Sequence, residues 1–270
     1  MTTTTLPPVE KEKLRPGSLA GLQVGPVKER PKTINVLVYG EPGVGKTVLS
    51  GSADAVPEMR PILHIDVEGG TLSLVDTYPE TNVVRVQTWD EMQNVYNELH
   101  SGRTPYRTVI LDSITEIQKF SMHEIMRKVV EEHPDRDPDV PSMREWGKSI
   151  EQIRRLVRAF RDLPMNSIVT ALAKSDKDSK TAVVTWKPSL PGKLADEVAG
   201  FLDLVFYYYM KTVKDEETGQ PLQKRLLLTS ATGNVTAKDR SGRFPMLLEE
   251  PTMQQIYDIA VKGKKNSEDD

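Results

Sequence analysis

Five short apolar runs punctuate the chain from Thr33 onward, at residues 34–39, 62–67, 83–86, 108–111 and 167–172. Each is nearly continuous in apolar, often branched side chains rather than alternating with polar ones. Such runs predict strands covered on both faces, as in a parallel sheet. Between them the apolar positions change to a helical period. Residues 47–55 follow a glycine-rich turn. Residues 89–100 have Asp90 near the start and Gly102 just past the end, and residues 114–132 and 144–163 are long and amphipathic. In the last of these, Ile150, Ile153, Leu156, Val157 and Phe160 share one stripe, and Pro164 ends it. Alternating strands and helices predict a doubly wound α/β core with a mostly parallel sheet.

The pattern changes in the last third. Residues 204–210 and 225–230 are strand-like, and the polar stretch between them holds Gly219 and Pro221, which predicts a hairpin and antiparallel strands at the carboxy-terminal side of the sheet. Residues 253–261 form a short terminal helix. Residues 1–32 hold Pro7, Pro8, Pro16, Pro26 and Pro31 with few large apolar side chains. This composition predicts a flexible arm, in which Leu19-Ala20-Gly21-Leu22-Gln23-Val24 could contact a neighbouring subunit. Residues 262–270, ending Glu268-Asp269-Asp270, read as a disordered acidic tail. One domain, residues 33–261, is left between arm and tail.

Between the first strand and the first helix stands Gly40-Glu41-Pro42-Gly43-Val44-Gly45-Lys46-Thr47, which fits G-x-x-x-x-G-K-[ST] in the context that gives this pattern its meaning. Gly43 and Gly45 let the backbone N–H groups converge on phosphate oxygens, and the helix adds its positive end. Lys46 reaches the β- and γ-phosphates, and the Thr47 hydroxyl is a magnesium ligand. Residues 40–48, with Val48 closing the run, are the expected nucleotide-binding segment, and ATP and Mg2+ the expected cofactors. The fourth strand ends in Asp112, where phosphate-loop enzymes place a carboxylate that holds the magnesium through its water shell. Asp66 and Asp203 are the competing carboxylates, and Asp203 reads as structural.

Composition narrows the chemistry further. The 270 residues contain no cysteine, which excludes a disulfide framework, a cysteine-based zinc site and a thiol nucleophile. Four histidines, none at metal-ligand spacing with another, argue against a zinc centre. With 36 basic against 39 acidic side chains, contact with nucleic acid has to use local patches. The amino terminus lacks the apolar stretch of a secretory signal, and no run is long enough to span a membrane, so the expected location is the cytoplasm, of a bacterial host if the chain is phage-encoded.

Asp112-Ser113 and the run Ile65-Asp66-Val67-Glu68-Gly69-Gly70 resemble the RecA-type core. Trp146-Gly147 opening a long helix, Pro191-Gly192-Lys193 before an apolar strand, and Lys238-Asp239-Arg240 make the chain most similar to phage RecA-like single-strand annealing recombinases over residues 33–261. The resemblance implies a RecA-like, doubly wound sheet. It implies that Glu68 polarises the attacking water, a task that suits a carboxylate. It also implies that Lys238 and Arg240 project from one subunit onto the γ-phosphate of the next, where an arginine offsets charge in the transition state. One departure stands out: the fifth strand has Thr170 as its one polar side chain, where the family carries a polar sensor at the strand's end.

The same resemblance places DNA on two loops. Residues 127–145 are mostly acidic and suit phosphate poorly. Residues 174–193 carry Lys174, Lys177, Lys180, Lys187 and Lys193 around Trp186, cations plus an aromatic platform. Tyr207, Tyr208 and Tyr209 read as core. The expected function is an ATP-hydrolysing DNA recombination protein that binds single-stranded DNA and promotes annealing or exchange as an oligomer, with hydrolysis stimulated by DNA. Its expected partners are single-stranded DNA, further copies of itself in a filament or ring, and a single-strand DNA-binding protein. The alternatives are a ring motor, such as a helicase or packaging-type ATPase, and a nucleotide-binding regulator without a DNA role.

Overall fold

The computed structural model describes residues 17–19, 22–26, 32–177, 182–215 and 219–263. The chain divides into two units, residues 1–32 and 33–270. Within the first, Gly17–Leu19 (β1) and Leu22–Val24 (β2) pair antiparallel, so the arm contains a short hairpin that its composition did not announce. Of residues 262–270, expected as a disordered tail, Lys262 instead ends the last helical turn, Asp258–Lys262, paired with Glu58 and Asp258, and Gly263 caps it; residues 264–270 lie outside the described residues.

In the second unit, Asn35–Gly40 (β3) leads through the glycine loop into Lys46–Gly51 (α1) and a 3-10 turn. Then come Ile62–Asp66 (β4), Asn82–Arg85 (β5), Trp89–His100 (α2), Thr108–Asp112 (β6), Ile114–Glu132 (α3) and Met143–Arg161 (α4). Asn166–Lys177 (β7), Val184–Pro188 (β8), Leu194–Phe201 (α5), Leu204–Lys214 (β9) and Pro221–Leu228 (β10) follow. Lys238–Asp239 (β11), Leu247–Glu249 (β12) and Met253–Tyr257 (α6) complete the order. The main sheet runs β12-β10-β9-β3-β7-β6-β4-β5, with β11 added to β9 and β8 to β7. The contacts among β9, β3, β7, β6, β4 and β5 are parallel, and those of β10, β11, β12 and β8 antiparallel. This is the expected doubly wound, mostly parallel sheet with antiparallel carboxy-terminal strands.

Both faces are covered, which is why the central strands read as unbroken apolar runs. Leu37, Ile65, Leu111 and Val169 face α2, α3, α4 and α5. Val36, Val38, Ile110 and Ile168 face α1 and α6. Helix α4 starts at a capping box in which the Ser142 hydroxyl accepts from the Arg144 N–H at 3.2 Å and Glu145 accepts from the Ser142 N–H at 2.7 Å. One expectation needs correction: Pro191-Gly192-Lys193 opens helix α5, not a strand. Leu194, Ala195, Val198 and Ala199 recur at helical spacing and are buried, and β9 begins only after them. The β9–β10 hairpin is also longer than its apolar segments, because its outer half is largely exposed and mixes polar residues with Met210, Val213 and Leu222.

Candidate functional site

The register sets what meets at the carboxy-terminal edge of the sheet, the edge where open α/β sheets bind ligands. Gly40 at the end of β3 lies between Leu172 of β7 and Tyr208 of β9, and Asp66 of β4 is beside Asp112 of β6. The backbone packs tightly at Gly40: a Cβ there would come within 2.1 Å of the Tyr208 carbonyl oxygen. Gly45 takes φ +100°, which turns the chain into α1. Between them Glu41, Pro42 and Gly43 are exposed and Val44 is buried.

Lys46 is buried, and its ammonium donates to the carbonyls of Gly40 at 3.0 Å and Glu41 at 2.9 Å, curled inside its own loop. Burial pushes its pKa down, against the nearby charges of Asp112 and Glu68. The Thr47 hydroxyl donates to Asp112 Oδ2 at 2.6 Å. Thr170 donates to the other oxygen, Oδ1, from the buried middle of β7. His64, fully buried on β4, places Nε2 3.3 Å from Asp112 Oδ2 without hydrogen-bond alignment. Burial pushes the Asp112 carboxyl up, but the His64, Thr170 and Thr47 contacts outweigh it and hold the group below its ordinary value. An ionised Asp112 beside the Thr47 hydroxyl is a donor set that fits a magnesium ion held by one hydroxyl, one carboxylate and nucleotide phosphates. Among the described residues no cluster of three or more metal-binding side chains exists, so a dedicated protein-only cage is not what this edge offers.

Glu68 is exposed just beyond β4. Its carboxylate accepts from the hydroxyl of Ser113, the residue after Asp112, and the Val67 N–H donates to the Asp112 carbonyl at 2.9 Å. Asp66 anchors the turn that carries Glu68. It accepts from the N–H groups of Gly69 at 2.6 Å and Gly70 at 3.2 Å, from the Thr71 hydroxyl at 3.1 Å and from Arg85 at 3.1 Å. Asp66 is therefore a brace. Asp203 is one as well, bound to Asn35 and Arg240.

Lys238 and Arg240 do not meet their own phosphate loop. β11 pairs with Leu204 and Val205 at the start of β9, whereas the loop leaves the sheet level with Tyr208, roughly 10 Å away at strand rise. Lys238 donates to the carbonyls of Ala199 at 3.2 Å, Gly200 at 2.9 Å and Leu202 at 2.8 Å, at the end of α5. Arg240 pairs with Asp203 at 2.6 Å.

β7 outruns the sheet and returns as β8, with Ser175 opposite Trp186. Lys177 and Lys193 are exposed, and Lys180 lies outside the described residues. Lys174 donates to the Leu190 carbonyl and Lys187 pairs with Asp196 at 2.8 Å. Trp186 is half-buried, its ring 5.7 Å from that of Tyr207, which in turn stacks with Tyr209 at 5.3 Å. Tyr207 and Tyr208 are core residues, each pushed up to about 12 by burial. The 127–145 segment keeps its acidic character, with Arg127 tied to Glu124 and Glu131 and Arg136 to Glu145.

Sequence reasoning missed a cavity of about 270 Å3 beside the loop. Gly45, Val48, Leu49, Tyr78, Tyr208, Arg225, Glu250 and Thr252 are among the residues that line it. It also missed His64, the bond from Thr170 to Asp112 and the bond from Ser113 to Glu68. Only Ser113 carried a local signal, its place directly after the acid.

A family model described as an AAA domain matches residues 32–241. No curated protein matches the sequence significantly. Among solved structures, the flagellar accessory protein FlaH from Methanocaldococcus jannaschii is similar at 14% identity, over 83% of this chain and 88% of that one, with a TM-score of 0.46.

Proposed function

The chain belongs to the AAA domain family, and from that premise we propose that it hydrolyses ATP and couples the hydrolysis to single-stranded DNA as an oligomer. The observation that carries the ATPase reading is the convergence of Lys46, Thr47, Asp112 and the Ser113–Glu68 pair on one glycine loop. On binding, Lys46 leaves the loop carbonyls for the phosphates, and the loop N–H groups and the end of α1 hold the rest of the triphosphate. The cavity lined by Val48 and Tyr208 takes the nucleoside. Thr47, and Asp112 through the ion's water shell, would hold a magnesium ion, which would supply positive charge beside the phosphates. Glu68, aimed by Ser113, accepts a proton from water while the water oxygen bonds to the γ-phosphorus, and ADP departs with the bridging oxygen.

Support for a DNA role comes from β7. The strand that carries Thr170 against Asp112 continues outward into the hairpin that carries Lys177 and Trp186. Asp112 and the hairpin are thus joined by one continuous strand. Exposed cations beside an aromatic ring suit a single strand, and strand annealing or exchange is the activity we assign to the assembly. Lys238 and Arg240 lie far from their own loop, and we assign them to the γ-phosphate of a neighbouring subunit, which they would reach by leaving their present partners at the end of α5.

The test is ATP turnover with and without single-stranded DNA, alongside retention of the strand on the protein with magnesium and ATP. Turnover that rises with DNA supports the reading. Turnover unchanged by DNA, with no strand retained, refutes the DNA role and leaves a nucleotide-binding regulator. Unwinding of forked duplex by closed rings would instead favour the motor.

A further inference from the structure

One wall of the cavity beside the phosphate loop carries an arginine and a glutamate that neither the chemistry above nor the DNA reading uses. Arg225 lies on β10, 181 residues from Val44, yet its Nε–H donates to the Val44 carbonyl at 3.3 Å. The side chain lies against Gly45, where a Cβ would come within 3.4 Å of Nε. Glu250 faces it from the end of β12. Glu250 Oε1 accepts from the Arg225 backbone N–H at 2.7 Å, and the Glu250 N–H donates to the Arg225 carbonyl at 2.8 Å.

Two features mark this exposed ion pair. Glu250 has φ +42°, a left-handed backbone that a glutamate seldom takes. Such positions persist where the surroundings over-determine them, and they gather at binding sites. The charged heads make only a long ion pair. Arg225 Nη1 is 3.8 Å from Glu250 Oε2, beyond hydrogen-bond distance, and the two side chains are 47% and 53% exposed. Of the guanidinium's N–H groups, only Nε–H has a hydrogen-bond acceptor among the described residues, and Oε2 accepts from none of them. Unspent donors and an unspent acceptor thus border one cavity next to a triphosphate loop.

We propose that Arg225 and Glu250 clamp the nucleoside end of the bound nucleotide and make the site selective for ribonucleotides. The guanidinium takes a phosphate oxygen next to the ribose, the partner its fork fits. The Glu250 carboxylate accepts from a ribose hydroxyl. Its aim is fixed beforehand by the Oε1 bond and the left-handed backbone, so little freedom is lost on binding. A site built to bond a hydroxyl discriminates against the analogue that lacks it. The inference rests on the nucleotide-binding reading of the phosphate loop and adds the ligand's sugar and the residues that read it.

The experiment is competition of ATP, 2′-deoxy-ATP and 3′-deoxy-ATP against a fluorescent ATP analogue. It is run on the full chain, on Glu250→Gly and on Arg225→Ala. Glycine accepts the left-handed backbone, so Glu250→Gly removes the carboxylate without adding strain. A hydrogen bond to a charged group corresponds to about a tenfold change or more. The natural chain is expected to bind ATP about tenfold more tightly than at least one deoxy analogue. Glu250→Gly should lose that preference by weakening ATP alone, and Arg225→Ala should weaken all three together. Equal affinity of the natural chain for all three nucleotides would overturn the clamp while the nucleotide reading stands. So would a Glu250→Gly chain that keeps the preference. Failure of the natural chain to bind any of them would overturn the nucleotide reading and the clamp with it. Should Glu250→Gly fold poorly, Glu250→Gln retains an acceptor for the Arg225 N–H. A weakened preference in that variant supports the clamp, and an unchanged one overturns it.

Discussion

Replacing Thr170 with valine isolates one bond of the candidate site. The Thr170 hydroxyl donates to Asp112 Oδ1 in the fully buried middle of β7, and valine keeps the shape while removing the donor. No cavity forms, so the loss is that of a hydrogen bond to an ionised group, about 1.5–3 kcal/mol. Asp112 retains Thr47 at 2.6 Å and His64 at 3.3 Å, which places the expectation near 2 kcal/mol, toward the lower half of that range. For a chain of this size that is roughly 4–8 °C in melting midpoint. The pH dependence has a definite sign. Asp112 is held below its ordinary value when folded, so its contribution is present above the unfolded carboxyl value of about 3.9 and is lost as pH falls through the folded value. The gap between natural and Thr170→Val proteins should therefore be full at neutral pH and narrow only below about pH 4. Urea denaturation at neutral and acidic pH measures it. A loss under about 0.5 kcal/mol at neutral pH would refute the claim that Thr170 stabilises the charged acid.

Other expectations follow from the same contacts. Glu145 is held at about 2 by its bonds to Ser142 and by Arg136, so its stabilising effect is present above the ordinary glutamate range and fades as pH falls toward that value. The difference in melting midpoint between natural and Glu145→Gln proteins should shrink over that window, and a difference constant with pH would contradict the cap assignment. Ser142→Ala should lower stability by about 1 kcal/mol, read by urea denaturation. Arg240→Ala and Lys46→Ala should each abolish turnover, and mixed assemblies should regain some. Mixtures as inactive as their parents would remove the assignment across subunits.

What the sequence disclosed was what is encoded locally. The loop from Gly40 to Thr47 packs its turn, its anion-binding backbone and its helix start into adjacent residues, so its chemistry was readable before any fold. The buried strands were readable because both faces are covered. Helix α5 was not, because its eight residues form a short apolar run whose helical spacing competes with the strand that follows. The contact between Thr170 and Asp112 depends on β7 lying between β3 and β6, and strand order is not a local property. Arg225 reaches Val44 across most of the chain, through the antiparallel hairpin that carries it past Tyr208. Asp66 looked like a rival ligand, and only its four partners show that it braces the Glu68 turn.

The most direct measurement of the central claim is ATP binding and turnover by Glu68→Gln beside the natural chain, with magnesium and single-stranded DNA. Glutamine keeps the size of the side chain and its acceptor for Ser113 but cannot take a proton from water. The account predicts ATP affinity within about twofold of natural and turnover lower by roughly 10²–10⁴. Turnover equal to that of the natural chain would contradict the account, because Glu68 would then have no part in the reaction.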